Sequence, residues 1–209
     1  MDQIDGPYVI NLDHRKDRWA EVQGEFGRIG LTPTRVSATY TPGDGATGCM
    51  ASHVDVLSRC VEKPIWVCED DLCFNIPREI LDRYVREFLE SDADVLCIGF
   101  ANYKSMEYND SFLRTIDCQT TSSYIAKPTA AAALLQLWSE VLVCRRTKAT
   151  HPYERLYKAM QIHKPDFYCA DQCWKILQQR FKFIIPRMRT AYQREGFSDI
   201  EGRVVNYRC

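Results

Sequence analysis

The stretch that decides the fold reads Pro64-Ile65-Trp66-Val67-Cys68-Glu69-Asp70-Asp71. A short, almost wholly apolar segment without polar alternation predicts a strand that is buried on both faces, as in parallel sheets. In open α/β sheets, ligands bind outside the carboxyl ends of the strands, where the three acidic residues would lie. Adjacent carboxylates repel one another, and a divalent cation that bridges to a phosphorylated ligand would relieve this repulsion. The alternative for this segment alone is an acidic loop that faces water.

The composition is that of an ordinary globular protein. The chain has 209 residues, of which 45% are hydrophobic and 26% are charged, enough for a sizeable core. The formal net charge of −1 gives no general attraction to nucleic acid or to anionic membranes. No apolar run approaches the length of a membrane span, and residues 1–7 do not resemble a signal peptide. We therefore expect a soluble protein without a nucleic-acid partner or a membrane span.

The cysteines indicate a reducing compartment. The chain contains ten of them, and Cys68, Cys97 and Cys144 all lie inside apolar runs. Free cysteine behaves as a small hydrophobic residue in reduced proteins. We expect buried thiols and a cytoplasmic location.

Segments typical of strands and helices alternate along the chain. Strands are predicted at residues 8–12, 34–38, 64–68, 94–99, 123–126 and, as the last, 183–185. Helices are predicted up to about residue 29, at 49–61, from 77 to about 90, from 128 to about 144 and at 170–180. Residues 42–48 are predicted as a glycine-rich loop, and residues 100–117 have no period and are predicted to be irregular. The order predicts one α/β domain over residues 1–209, with a mixed, mostly parallel sheet flanked by helices.

Basic residues follow the first predicted strand. Asn11 lies at its carboxyl end and Arg15 and Arg18 come just after it, as Glu69 to Asp71 come after a later strand. If both strands belong to one parallel sheet, the two clusters share an edge. Guanidinium groups bind phosphate oxygens in pairs, and carboxylates hold the metal that bridges the same phosphates. The alternative is a solvated turn whose charges pair with one another.

Three motifs occur in a fixed order: Tyr-Val-Ile-Asn-Leu-Asp-His-Arg-Lys-Asp-Arg at 8–18, Gly-Cys-Met-Ala-Ser-His at 48–53 and Val-Cys-Glu-Asp-Asp at 67–71. With these motifs the chain resembles the lipooligosaccharide and procollagen-type galactosyltransferase family. The resemblance covers most of residues 7–75, and weaker matches follow at 122–125, 170–172, 193 and 198–200.

The resemblance implies a GT-A fold, a Rossmann-like architecture with two halves. Residues 1 to about 100 would bind the nucleotide sugar, and residues from about 101 to 209 would bind the acceptor. The implied activity is metal-dependent transfer of a hexose from a nucleotide-diphosphate sugar, most simply a UDP-sugar. The implied acceptor is a hydroxyl group of a glycan or glycoprotein, and the implied cofactor is Mn²⁺ or Mg²⁺.

The resemblance also implies roles for individual residues. The acidic triplet would be a variant of the Asp-x-Asp metal motif, with Glu69 in the first place. Asp71 would ligate the metal, and Glu69 or Asp70 would face the ribose or the metal-bound water. The donor nucleotide would be held by residues of the first motif, and the second motif would lie beside the donor pocket: Asn11, Leu12, Arg15 and Arg18, then Ser52 and His53.

Sugar transfer with inversion needs a base for the attacking hydroxyl group. Asp171 is the candidate, because it begins a predicted helix after a loop and matches a late aspartate of the family. The alternative is that Asp171 only caps that helix, which is a common position for aspartate. His53 is likewise either a ligand of the donor or a buried structural histidine.

Two other classes of function fit parts of the pattern. Cys49 and His53 are four residues apart on one predicted helix, as are Cys169 and Cys173 on another, and these four could close a zinc site in a non-enzymatic binding module. A metal-dependent nuclease or nucleotidyltransferase would also place carboxylates at a strand end. The sequence shows no second acidic cluster and no basic groove, which counts against both the nuclease and the nucleotidyltransferase.

Overall fold

The computed structural model describes residues 3–60, 62–160, 166–198 and 202–206. These ranges contain strands β1 (Asp5–Asn11), β2 (Thr34–Ser37), β3 (Ile65–Glu69), β4 (Leu72–Phe74), β5 (Val95–Glu107), β6 (Phe112–Ala126), β7 (Phe183–Pro186), β8 (Ala191–Gln193), β9 (Gly196–Ser198) and β10 (Arg203–Val205). The helices are α1 (Lys16–Arg28), α2 (Gly45–Leu57), α3 (Arg78–Glu90), α4 (Pro128–Thr147), α5 (Glu154–Ala159), α6 (Ala170–Cys173) and α7 (Lys175–Gln178).

Six strands form a central mixed sheet in the order β2-β1-β3-β6-β5-β7. β1 pairs in parallel with both β2 and β3, and β5 pairs in parallel with β7. β6 runs antiparallel to β3, β5 and β7. Two small antiparallel pairs, β4–β8 and β9–β10, complete the strands of the described ranges. The predicted fold class, a mixed α/β sheet flanked by helices, is confirmed.

β3 is the strand on which both layers pack. Ile65 and Val67 belong to a core cluster shared with α2 and α4, whereas Trp66 and Cys68 belong to a second cluster shared with α1 and α3. All four side chains are at most 1% exposed. A strand covered on both faces needs apolar residues at every position, which explains the unbroken apolar run in the sequence. None of the helices in the described ranges is both long and apolar enough to cross a membrane.

The prediction for residues 100–117 is wrong. β5 continues to Glu107 and β6 begins at Phe112, so these residues belong to a long antiparallel hairpin. The second half of β5 is mostly exposed or half-buried. Such a segment is held by its hydrogen bonds to the partner strand and lacks the apolar pattern by which strands are recognised in a sequence.

Other element boundaries also differ from the prediction. α2 begins at Gly45, four residues early, because the Asp44 side chain caps it by accepting a hydrogen bond from the backbone N–H of Thr47 at 3.1 Å. The helix predicted at 170–180 is divided at Trp174 into α6 and α7. β7 is followed by three further short strands, and α5 was not predicted. Residue 61, the predicted end of the second helix, lies outside the described residues.

Candidate functional site

A cavity of about 750 Å³ lies beyond the carboxyl ends of β1 and β3. Its walls come from both halves of the chain, including the glycine-rich segment before α2, the bend in β6, the start of α6 and the C-terminal strands. Eight of the ten predicted site residues line it: Leu12, Arg18, Ser52, His53, Glu69, Asp70, Asp71 and Asp171. The parallel pairing of β1 with β3 brings Ile10 beside Glu69, which is why the two motifs meet.

Asp70 is fixed by two donors. Its Oδ2 accepts a hydrogen bond from Asn11 Nδ2 at 2.7 Å, and its Oδ1 accepts one from Arg18 Nη1 at 2.6 Å. Arg18 also donates from Nη2 to the carbonyl of Phe197 at 2.7 Å. Because both carboxylate oxygens are engaged, Asp70 holds Arg18 at the cavity and joins β1, α1 and β9.

Glu69 is held by residues other than those that hold Asp70. Its Oε1 accepts a hydrogen bond from Thr121 Oγ1 at 2.6 Å and lies 3.3 Å from His53 Nε2. His53 is fully buried, and its Nδ1 lies 3.1 Å from the hydroxyl group of Tyr124. Burial alone would raise the pKa of Glu69, but the contact with His53 and the hydrogen bond from Thr121 outweigh it, so this pKa is lowered. Glu69 therefore remains ionised beside its two acidic neighbours.

Asp71 is the least compensated of the three carboxylates. Gln193 Nε2 lies 3.4 and 3.5 Å from its two oxygens, and the nearest guanidinium nitrogen of Arg18 lies 4.0 Å away. Burial, followed by the charges of Glu69 and Asp70, raises its pKa from 3.8 to about 7. At neutral pH this carboxylate thus lacks part of the positive charge that would stabilise it, and a cation in the cavity would supply it.

An irregularity in β6 shapes the facing wall. Gly99 of β5 pairs with Ser123 and Ala101 pairs with Gln119, so residues 120–122 bulge out of the register. Thr120 has a φ angle of 68°, which is a strained value for a β-branched residue. The bulge turns the Thr121 hydroxyl group toward Glu69 and brings the Thr120 hydroxyl group to Gln193 Oε1 at 3.1 Å.

Asp171 is the second residue of α6 and lines the cavity. The N-cap of this helix is Cys169, and the Asp171 carboxylate instead accepts hydrogen bonds from the Thr120 backbone N–H at 3.3 Å and from Gln172 Nε2 at 3.0 Å. The helix-capping alternative is therefore not what the geometry shows. Asp171 is held against the β6 bulge and lines the same cavity as Glu69, Asp70 and Asp71.

Two predicted residues are not among those lining the cavity. Asn11 acts behind the wall, donating to Asp70 and accepting a hydrogen bond from Arg35 Nε at 2.9 Å. Arg15 precedes α1 and forms an ion pair with the exposed Asp17 at 2.9 Å. Arg15 thus matches the alternative considered from the sequence, a turn whose charges pair with one another, whereas Arg18 reaches the cavity.

Sequence reasoning missed Thr120, Thr121 and, as a contact of Asp71, Gln193. The run Gln119-Thr120-Thr121-Ser122-Ser123 is a usable signal, because five consecutive polar residues inside a strand indicate a polar surface or a bulge. Gln193 reaches Asp71 because Leu72 of β4 pairs with Gln193 of β8. No sequence signal predicts that pairing.

The described residues also contain one group with potential ligand atoms for a metal: Cys49, His53 and Glu69, whose atoms lie within 4.8 Å of one another. The four residues considered from the sequence as a zinc site, Cys49, His53, Cys169 and Cys173, do not form one such group among the described residues. Cys173 is fully buried and its thiol lies 3.6 Å from the Ala170 carbonyl, while the Cys169 thiol lies 3.4 Å from Asp166 Oδ2.

No family model matches the sequence, and no curated protein matches it either. Among solved structures, the chain is similar to the protein A197 from STIV, with 9% sequence identity and a TM-score of 0.49, over 95% of this chain and 91% of the other. It is similar to mannose-1-phosphate geranyltransferase from Thermus thermophilus, with 12% identity and a TM-score of 0.43, over 90% of this chain and 58% of the other.

A third similar structure is the nucleoside-diphosphate-sugar pyrophosphorylase from Vibrio cholerae, with 14% identity and a TM-score of 0.36, over 85% of this chain and 70% of the other. At identities and TM-scores this low, no function follows from these likenesses. The resemblance to the galactosyltransferase family, drawn from three motifs, stays a prediction.

The first prediction concerns the pH dependence of stability. Because the pKa of Asp71 in the fold, about 7, lies above its ordinary 3.8, its contribution to stability is complete below about pH 4 and is lost as the pH rises through 7. Asp71→Asn has no carboxyl group at this position, so it does not lose stability from this source as the pH rises. In the presence of a chelator, the free energy of unfolding of the wild type relative to Asp71→Asn should fall between these limits by at most about 4 kcal/mol. Urea unfolding at a series of pH values measures the difference.

Asp110→Asn is the matched control, because Asp110 is exposed. Its stability relative to the wild type, measured over the same pH range, is the reference for the removal of one exposed carboxylate. A pH-independent difference for Asp71→Asn would mean that this carboxyl group is not perturbed by its neighbours.

Proposed function

We propose that this chain is a metal-dependent glycosyltransferase that moves a hexose from a nucleotide-diphosphate sugar, UDP-linked, to a hydroxyl group of a glycan or glycoprotein. The observation that carries the proposal is Asp71. Its carboxylate is 15% exposed and follows the end of a central strand, it lines a cavity of about 750 Å³, and its pKa is raised to about 7. Such a group is suited to a cation that arrives with an anionic ligand.

The residues around Asp71 fit a hard divalent cation. Asp71 and Glu69 would hold Mn²⁺ or Mg²⁺ through carboxylate oxygens, the ligands such ions prefer. Glu69 Oε2 accepts no hydrogen bond from the described residues, since both contacts of this carboxylate go to Oε1. When bound, the cation would neutralise the departing diphosphate as a Lewis acid.

In this proposal, the positively charged side chain of Arg18 binds the phosphates of the donor. Its guanidinium group is oriented by Asp70 and by the Phe197 carbonyl. It lines the cavity next to Glu69, Asp70 and Asp71, which together are called the acidic turn. A pre-oriented guanidinium group binds phosphate oxygens with little further loss of conformational freedom. Ser52 and His53 would lie beside the donor, although each already has a structural contact: Ser52 donates to the Gly48 carbonyl at 2.7 Å.

Asp171 is the acceptor-side base of this proposal. It lines the same cavity as Asp71 and is held by the β6 bulge, so it would receive the proton of an attacking hydroxyl group. Three large aromatic side chains at the cavity, Tyr40, Tyr103 and Phe197, are 62%, 49% and 46% exposed. Exposed aromatic faces suit the apolar face of a sugar ring, which supports a carbohydrate acceptor.

The second prediction tests the function. Chelator-treated wild type should show an increase in melting temperature with UDP-hexoses only when Mn²⁺ or Mg²⁺ is added, since a ligand at a hundred times its Kd adds about 2.7 kcal/mol to stability. With an acceptor, UDP should be released. Asp71→Ala should lose both the metal-dependent increase and the release of UDP while retaining its fold.

Full activity of Asp71→Ala with excess chelator would contradict the proposal. The product separates the other classes of enzyme. Release of pyrophosphate from a nucleoside triphosphate and a sugar phosphate would indicate a nucleotidyltransferase, and cleavage of nucleic acid would indicate a nuclease.

The third prediction compares Arg18 with Arg15. Arg18→Ala removes a charge-assisted contact worth on the order of 1.5–3 kcal/mol, so the donor KM at saturating metal should rise about tenfold or more. Arg15→Ala serves as the matched control, because Arg15 pairs with Asp17 and is not among the residues described as lining the cavity. Equal donor KM values for both variants would remove Arg18 from donor binding.

The fourth prediction concerns Asp171→Asn. If Asp171 accepts the hydroxyl proton, this isosteric change should keep donor affinity and fold but lower kcat by roughly 10²–10⁴-fold. Asp166→Asn is the control, since Asp166 is exposed and is not among the residues described as lining the cavity, while its Oδ1 accepts a hydrogen bond from the Tyr168 backbone N–H. Near-wild-type turnover of Asp171→Asn would exclude it as the base and favour a configuration-retaining route.

A further inference from the structure

A second kind of metal ligand lies beside the acidic turn. Cys49 and His53 are one helical turn apart on α2, and both line the cavity. Together with Glu69 at the end of β3, they bring a sulfur, a nitrogen and an oxygen atom within 4.8 Å of one another. This combination of ligands differs from a cluster of carboxylates, because a thiol and an imidazole favour softer ions than Mg²⁺.

The histidine is held as metal-bound histidines usually are. Its Nε2 points to Glu69 Oε1 at 3.3 Å, and its Nδ1 lies 3.1 Å from the Tyr124 hydroxyl group. Tyr124 is fully buried and packs edge-on against Trp138 and Trp174, so the hydroxyl group is firmly located. The partner on Nδ1 fixes the orientation of the imidazole, so that Nε2 faces Glu69 Oε1, the atom with which it would share a metal ion.

Distances and hydrogen bonding leave room for an ion. In a tetrahedral zinc site with N and O ligands at 2.0–2.1 Å, neighbouring ligand atoms are about 3.3 Å apart, which is the separation of His53 Nε2 and Glu69 Oε1. The Cys49 thiol has no hydrogen-bond partner within the described parts of the chain, and Glu69 Oε2 has none either. The Cys49 sulfur lies within 4.8 Å of a ligand atom of His53 and of a carboxylate oxygen of Glu69.

We propose that Cys49, His53 and Glu69 form a site for Zn²⁺, with the fourth coordination position open to the cavity. Three protein ligands and one open position are typical of zinc sites that bind water or a ligand. The site shares only Glu69 with the proposed Mn²⁺ or Mg²⁺ site, and Asp71 is not part of the cluster. The proposal goes beyond sugar transfer and does not depend on it, since the ion can be tested alone.

The fifth prediction uses metal ions as the only probes. Chelator-stripped wild type should bind one equivalent of Co²⁺ with the near-ultraviolet charge-transfer absorption that a cobalt–thiolate bond produces, and Zn²⁺ should abolish this absorption. Cys49→Ala and His53→Gln should lower Zn²⁺ affinity in competition titrations by at least about tenfold, since even loss of a supporting contact costs this much. Cys60→Ser, a half-buried cysteine away from the cavity, should bind as the wild type does.

Two further measurements keep the test independent of variant stability and of the proposed function. In the wild type, Zn²⁺ should protect Cys49 from alkylation, as mapped by mass spectrometry, and leave Cys60 reactive. Asp71→Ala should keep the cobalt–thiolate absorption, because Asp71 belongs to the other site. Absence of the absorption from the wild type, its loss in Cys60→Ser, or unprotected Cys49 would each overturn the proposal.

Discussion

Electrostatic repulsion among Glu69, Asp70 and Asp71 is the constraint around which the site is organised. Three carboxylates at the end of a strand that is buried on both faces have little water to screen them. Two of them have close partners of different kinds. Asp70 accepts hydrogen bonds from Asn11 and Arg18, and Glu69 accepts one from the Thr121 hydroxyl group and contacts the His53 imidazole. The third, Asp71, has only more distant partners, and its pKa stays raised by burial and by the charges of its two neighbours.

The mixed sheet explains how these partners are supplied. β1 and β3 pair in parallel, so their carboxyl ends lie at the same edge of the sheet. The segment that carries Arg18 and the acidic turn therefore meet at this edge. Antiparallel β6 then crosses between β3 and β5 and contributes a bulge at the same edge. A regular strand would point Thr121 according to the pleat, whereas the bulge turns its hydroxyl group to Glu69, at the cost of a strained φ angle at Thr120.

The C-terminal strands depend on the same charges. Arg18 donates to the Phe197 carbonyl while it pairs with Asp70, and the Arg194 backbone N–H donates to the Asp71 carbonyl at 2.7 Å. The wall formed by β8 and β9 is thus attached to the acidic turn through short polar contacts. Any ligand that changes the charge balance at Asp70 or Asp71 acts directly on the contacts that hold this wall.

The sequence by itself determined the alternation of strands and helices, the buried strand β3 and the meeting of the Arg18 and Glu69 turns. These follow from local patterns: an apolar run, helical spacing and the common direction of parallel strands. It did not determine the β5–β6 hairpin at residues 100–117, since exposed paired strands carry no apolar period. Residue type and spacing did not distinguish Arg18 from Arg15, or Asp71 from Asp70, because the members of each pair have the same chemistry and lie close together in the chain; only the family resemblance assigned the metal to Asp71. Only the tertiary structure decided which charge found a partner, since Asn11, Thr121 and Gln193 reach the acidic turn through pairings between segments far apart in the chain.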